Sequence, residues 1–134
     1  MKYITNSSGY AFKVCILAAG VGSRSLISKN THKALLPINY KAVISHIIEL
    51  YPKKTDFIIA VSHNAKLIID YLKLAKPNHR FKFVKIKKTI GPGSGPGRSL
   101  LECRRFLQCP FIIHSCDTLI KNSNIPLSEA HKKI

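Results

Sequence analysis

Acidic residues are scarce in this chain: 6 Asp and Glu stand against 22 Lys and Arg in 134 residues, a formal charge of +16. A field of that sign attracts polyanions such as nucleic acid, nucleotides or anionic membrane. No apolar stretch approaches the length of roughly 18 residues that a spanning helix requires, so no membrane span is expected. Cysteines are few, at 15, 103, 109 and 116, and none forms a CxxC pair. That spacing argues against the common zinc sites. With no signal peptide ahead of them, a disulfide framework is not expected either, and the expected compartment is the cytoplasm. Cys15 inside an apolar run and Cys116 at the end of another read as small buried hydrophobes. There is no internal repeat, and 46% hydrophobic with 21% charged residues argues against wholesale disorder.

The basic residues also lack a block. They stand singly and in pairs, at Lys53-Lys54, Lys87-Lys88, Arg104-Arg105 and Lys132-Lys133. This distribution fits a solvated basic surface, or a field for a phosphate ligand, better than a dedicated nucleic-acid surface. A nucleic-acid partner is therefore not expected, although a basic nucleic-acid-binding domain stays open as a second alternative.

What is present is one domain's worth of chain, with room for a real core but small for an enzyme that holds two substrates. Residues 1–12, with Asn6-Ser7-Ser8-Gly9, read as a loose lead-in, and residues 13–134 as an α/β domain. Residues 13–19 form an apolar strand, followed by a long loop with Gly20, Gly22, Ser23, Ser25, Ser28 and Asn30. Leu35-Leu36-Pro37-Ile38 is short and apolar, and Asn39-Tyr40 reads as a turn. Over 41–51 the apolar positions Val43, Ile44, Ile47, Ile48 and Leu50 recur at helical spacing. A second strand is predicted at 56–61, a helix at 65–74, and a strand at 81–86 in which Lys82 and Lys85 interrupt the apolar positions. Residues 91–97 carry four of the seven glycines; a helix at 99–107 and a strand at 110–115 follow. Continuous apolar strands in the order β-α-β-α-β-α-β predict an open, mostly parallel sheet with helices on both faces.

In such sheets ligands bind beyond the carboxyl ends of the strands, where strand order switches. Three informative segments fall on that edge: the loop after the first strand, the glycine loop, and Cys116-Asp117-Thr118. The first reads Leu17-Ala18-Ala19-Gly20-Val21-Gly22-Ser23-Arg24, small residues and glycines that let backbone N–H groups wrap phosphate, then an arginine fork. Gly20-x-Gly22-x-x-Ser25 lacks the third glycine of the dinucleotide fingerprint, and Val61-Ser62-His63 lacks the acid that would hold a ribose. No Gly-Lys-Ser/Thr follows, which excludes the Walker A loop. Of the six acids, Glu49, Asp56, Asp70, Glu102, Asp117 and Glu129, only Asp117 directly follows the carboxyl end of a buried strand. It is the candidate Mg²⁺ ligand, against the alternative of a helix cap or turn residue.

The segments LAAGxGSR at 17–24, Lys33-Ala34-Leu35-Leu36-Pro37-Ile38, Gly95-Pro96-Gly97-Arg98-Ser99-Leu100 and Phe111-Ile112-Ile113-His114-Ser115-Cys116-Asp117 occur in the order of one known family. Together they resemble the N-terminal part of the nucleotidyltransferases that join an NTP to a sugar phosphate or phospho-alcohol. The resemblance covers about residues 13–120. It implies a Rossmann-like three-layer fold of the nucleotide-diphospho-sugar transferase type, with pyrophosphate released. By resemblance Leu17, Ala18, Ala19, Gly20, Gly22 and Ser23 wrap the phosphates, while Arg24 and Lys33 neutralise them. Gly95, Gly97 and Ser99 accommodate the base, and Asp117 holds Mg²⁺. The pattern departs from the family at His32, where proline is usual, and at Asn39-Tyr40-Lys41-Ala42, where the usual Gly-Lys-Pro is missing.

Simpler readings accompany these. Arg24 and Lys33 could be solvated loop cations and the glycine loop a mere connection. His114 and His46 read as structural, and Ser94 and Ser99 as caps of the third helix; no serine nucleophile is expected. Family members continue well past the metal-binding Asp, so the acceptor half is expected to be absent from these 134 residues. A split or truncated product, a fragment, or a small nucleotide-binding or assembly module without complete catalysis would each fit. The unfinished sheet edge predicts homo-oligomerisation, pairing with a separate C-terminal half, or marginal stability.

Overall fold

The computed structural model describes residues 12–20, 32–87 and 89–120. Along the chain come β1 (Lys13–Ala18), a 3₁₀ turn (Lys33–Leu35), β2 (Pro37–Ile38), β3 (Lys41–Ala42), α1 (Val43–Glu49) and β4 (Asp56–Val61). Then follow α2 (Ala65–Ala75), β5 (Arg80–Lys85), α3 (Pro96–Glu102), a second 3₁₀ turn (Arg104–Phe106) and β6 (Phe111–Ser115). Four strands form one parallel sheet in the order β5-β4-β1-β6. β1 and β4 lie inside it, which is why their runs are apolar without alternation.

Successive residues of the inner strands serve opposite faces. Val14, Ile16 and Ala18 of β1, with Phe57, Ile59 and Val61 of β4, share a core with α1 and α2 through Ile44, Ile47, Ile48, Ile68 and Leu72. Cys15, Ile58 and Ala60 pack on the other face with Cys103 and Leu107, which follow α3. Helices therefore cover both faces, as the element order predicts. Phe12 is itself buried in the first of these cores, and residues 1–11 of the expected lead-in lie outside the described residues. All four cysteines are free, and Cys15, Cys103 and Cys116 are buried.

Two elements differ from expectation. Residues 41–42 belong to β3, paired antiparallel with β2, instead of opening the first helix. Asn39 and Tyr40 both take positive φ, 47° and 68°, the geometry of a tight hairpin turn, and this fixes the pairing before the helix starts. The third helix begins at Pro96 and ends at Glu102, ahead of the 99–107 expected. Proline's fixed φ suits the first helical position, and Gly95, at φ 126°, takes the cap position. Neither serine caps the helix: Ser94 donates its hydroxyl to the Gly91 carbonyl at 2.6 Å, and Ser99 lies buried inside the helix.

Tyr40 is fully exposed, so its side chain contributes no packing to offset its left-handed backbone. Tyr40→Gly is expected to stabilise the fold by about 0.5–1 kcal/mol, because glycine takes this conformation without a Cβ clash. A thermal melt checks it; a lower Tm would contradict the turn geometry.

Candidate functional site

Strand order reverses at β1: β4 and β5 lie to one side and β6 to the other. The carboxyl ends of β1 and β6, paired as far as Leu17 and Ser115, therefore form the switch point of the sheet. Beyond them the Cys116 N–H donates to the Leu17 carbonyl at 3.3 Å, holding the turn after β6 against β1. His114 pins the same turn. It is buried, accepts from the Tyr51 hydroxyl at Nδ1 (2.8 Å) and donates from Nε2 to the Thr118 carbonyl (2.8 Å). It is thus a satisfied core histidine. His46, donating to the Ile38 carbonyl at 2.6 Å, is structural too.

Asp117 stands on this turn. One carboxylate oxygen accepts from the Ser115 hydroxyl at 2.6 Å, and the other pairs with Lys33 Nζ at 3.1 Å. The Ser115 hydrogen bond first, and then Lys33, hold the Asp117 carboxyl below its usual range, so it is ionised at neutral pH. Lys33 and Asp117 are about 34% and 46% exposed, open enough to meet a ligand. Eighty-four residues separate them in sequence.

The 3₁₀ turn that presents Lys33 is capped by His32, whose Nδ1 accepts from the Ala34 N–H at 3.0 Å. His32 is buried, and its Nε2 has no partner among the described residues. Burial lowers its basicity foremost, while the Ala18 and Gly20 carbonyls act in the opposite direction. The His32 side chain thus fixes the start of the turn that carries Lys33.

A cavity of about 230 Å³ opens between these strand ends and α3. Leu17, Ala19, Gly20 and Lys33 line one side, and Gly95, Pro96 and Ser99 the other. Ser62 donates its hydroxyl to the Ala19 carbonyl at 2.6 Å and so fixes where β1 leaves the sheet. A Cβ on Gly20 would meet nothing within 4 Å, and its φ is not positive. Among the described residues no atom therefore demands glycine there. Gly91, Gly93 and Gly95 do take positive φ, so the glycine loop needs them to turn into α3.

Six predicted residues thus meet at the cavity: Leu17, Ala19, Gly20, Lys33, Gly95 and Ser99. Asp117 adjoins them through Lys33. Ala18 is buried in the core on the other face of the sheet, and Gly97 lies within α3 away from the lining. Gly22, Ser23 and Arg24 lie outside the described residues. Lys41 is committed elsewhere, with its ammonium on both Glu49 oxygens at 3.0 and 2.8 Å. Thr89, Ile113 and Ser115 also line the cavity and were missed. Ser115 had a legible signal, since it precedes Asp117 by two residues at the end of a strand; Thr89 and Ile113 had none. Among the described residues no group of three or more His, Cys, Asp or Glu side chains could hold a metal ion. Nor is any described helix long and apolar enough to cross a membrane.

No protein-family profile matches the chain. The bifunctional protein GlmU of Methanococcus maripaludis is 29% identical over 110 residues, which is 81% of this chain and 25% of that protein. The CTP:phosphocholine cytidylyltransferase of Streptococcus pneumoniae superposes with a TM-score of 0.65 at 28% identity, over 86% of this chain and 49% of that one. A putative glucose-1-phosphate thymidylyltransferase from Bacillus anthracis shares the fold with a TM-score of 0.76 at 23% identity, over 92% and 51%. The chain thus resembles sugar-phosphate and phospho-alcohol nucleotidyltransferases in sequence and in fold. It spans about a quarter of the length of the curated relatives and about half that of the solved structures.

Proposed function

We propose that residues 13–134 form a nucleotide-binding unit that holds an NTP in the cavity between β1, β6 and α3 for nucleotidyl transfer to a sugar phosphate or phospho-alcohol. The observation that carries this reading is the Lys33–Asp117 pair at the switch point of the sheet, beside that cavity. In the proposed reaction an acceptor phosphate attacks the α-phosphorus in line and pyrophosphate departs. Nothing covalent is asked of the protein; it positions the groups and offsets the developing negative charge.

Lys33 and Arg24 are the proposed cations on the phosphates, and the backbone of residues 17–23 wraps them. The nucleotide base rests against Gly95, Pro96 and Ser99, with Thr89 and Ser115 as nearby polar groups. The donor set suits Mg²⁺, a hard ion that commonly takes one or two carboxylates and completes its shell with phosphate oxygens and water. Asp117, ionised and half exposed, would hold it, and the ion would supply further neutralisation of phosphate charge.

β6 is an edge strand among the described residues, and Ile113 on it is half exposed. This edge is where a separate C-terminal half, or a second copy, would add to the sheet. The alternative reading is a module that binds nucleotide without turnover. Pyrophosphate release, assayed over the four NTPs with phosphorylated sugars and phospho-alcohols, separates the two readings.

Asp117→Asn tests the site itself. The variant is expected to bind NTP equally well with and without Mg²⁺, whereas the native chain gains affinity from the ion. Its Tm should stay close to native, because a half-exposed ion pair contributes only about 0–1 kcal/mol. Undiminished Mg²⁺ stimulation in the variant would remove Asp117 from the site.

A further inference from the structure

A second cavity, of about 440 Å³, lies between the edge strand β5 and the outer side of α3 with its following 3₁₀ turn. Lys85 and Lys87 line it from the β5 side, and Arg98, Arg104 and Arg105 from the other. These residues are far apart in sequence and are brought together only by the fold. Five cations here meet one carboxylate, Glu102, which already accepts from the Lys87 N–H at 2.9 Å and from Arg98 Nε at 3.2 Å. None of the ion pairs among the described residues engages Lys85, Lys87, Arg104 or Arg105. Phe106 gathers still more charge: Lys82 Nζ and the Arg105 guanidinium lie 4.9 and 4.8 Å from its ring centroid.

Lysines on an edge strand guard against strand pairing, and that role accounts for Lys82 and Lys85. It does not account for three arginines facing Lys85 from α3 and the 3₁₀ turn after it. Unpaired like charges at close quarters repel each other, and an anion laid between the two walls relieves that repulsion. Guanidinium forks match phosphate oxygens in pairs. The concave shape suits a strand better than a flat lipid surface, and half-exposed Leu101 adds apolar lining for bases. We propose that this groove binds the phosphodiester backbone of a single-stranded nucleic acid. The inference is independent of the nucleotidyl-transfer reading, since none of these residues lines the nucleotide cavity.

The test is fluorescence anisotropy of a labelled oligodeoxythymidylate of about 15 nucleotides with the full chain, across a salt series starting near 50 mM. Binding should weaken as salt rises. Arg104→Glu with Arg105→Glu on one wall, and Lys85→Glu with Lys87→Glu on the other, should each cost about tenfold or more in affinity and flatten the salt slope by roughly 1.4, two contacts' worth. Lys53→Glu with Lys54→Glu, exposed residues away from the groove, serves as the control and should cost less than about threefold. Two independent walls keep the test decisive should one double variant misfold, as circular dichroism would reveal. The proposal is overturned by absence of binding at the lowest salt, or by equal losses in all three pairs, which would mean diffuse surface charge. It is equally overturned if excess MgATP displaces the strand, if polyglutamate competes as well as the oligonucleotide, or if anionic vesicles bind through the same residues in its place.

Discussion

Lys33→Ala should weaken NTP binding in the presence of Mg²⁺ by roughly 10- to 100-fold, the equivalent of about 1.5–3 kcal/mol for a lost charge-assisted contact. The ammonium sits 3.1 Å from Asp117 on the rim of the cavity, and it is placed there by a turn that His32 caps. Stability should hardly change, because both members of the pair are partly exposed and solvent screens them. Asp117 keeps its Ser115 hydrogen bond in this variant, so its carboxylate stays ionised at neutral pH. Titration calorimetry reads the affinity and a melt reads the fold. Native-like affinity in a folded Lys33→Ala chain would sink the phosphate role for this lysine. Arg24→Ala, in the loop named from the motif, should weaken binding to a similar degree.

Phe57→Ala should do the reverse. Phe57 is buried near the start of β4 and packs edge-on to Tyr51, with Phe81 and His79 on tilted rings. Truncating such a side chain costs about 3–5 kcal/mol, from lost transfer energy and the cavity left behind. Domains of this kind hold about 5–15 kcal/mol in all, so a fall of roughly 10 °C or more in Tm is expected, or outright unfolding. Phe57 faces α1 and α2, on the side of the sheet away from the nucleotide cavity. Whatever folded fraction remains should therefore bind NTP as the native chain does. A melt within a few degrees of native would show that this core tolerates a large void. The two variants divide cleanly: one loses ligand and keeps its fold, the other loses fold and keeps its site.

The parts legible in sequence were those governed by local pattern. Strands buried on both faces announce themselves as unbroken apolar runs, and β1 and β4 fall where Val14-Cys15-Ile16 and Phe57-Ile58-Ile59 stand. Asp117 was singled out because no other acid follows the carboxyl end of a buried strand. Where local signals competed, the reading slipped: the helical spacing from residue 41 hid a hairpin set by two left-handed residues, and Ser99 hid the earlier start that Pro96 allows.

By itself, then, the amino-acid sequence determined the class of fold, the glycine-rich corner and the chemistry of the candidate phosphate and metal groups, because each depends on residue type and near neighbours. The tertiary structure alone decided that Lys33 reaches Asp117 across 84 residues, that Thr89 and Ile113 line the same cavity, and that lysines and arginines scattered singly and in pairs face one another across a groove. Those are facts of strand order and register. Electrostatic energy depends on separation in space, and no one-dimensional pattern records which distant residues a crossover will set side by side.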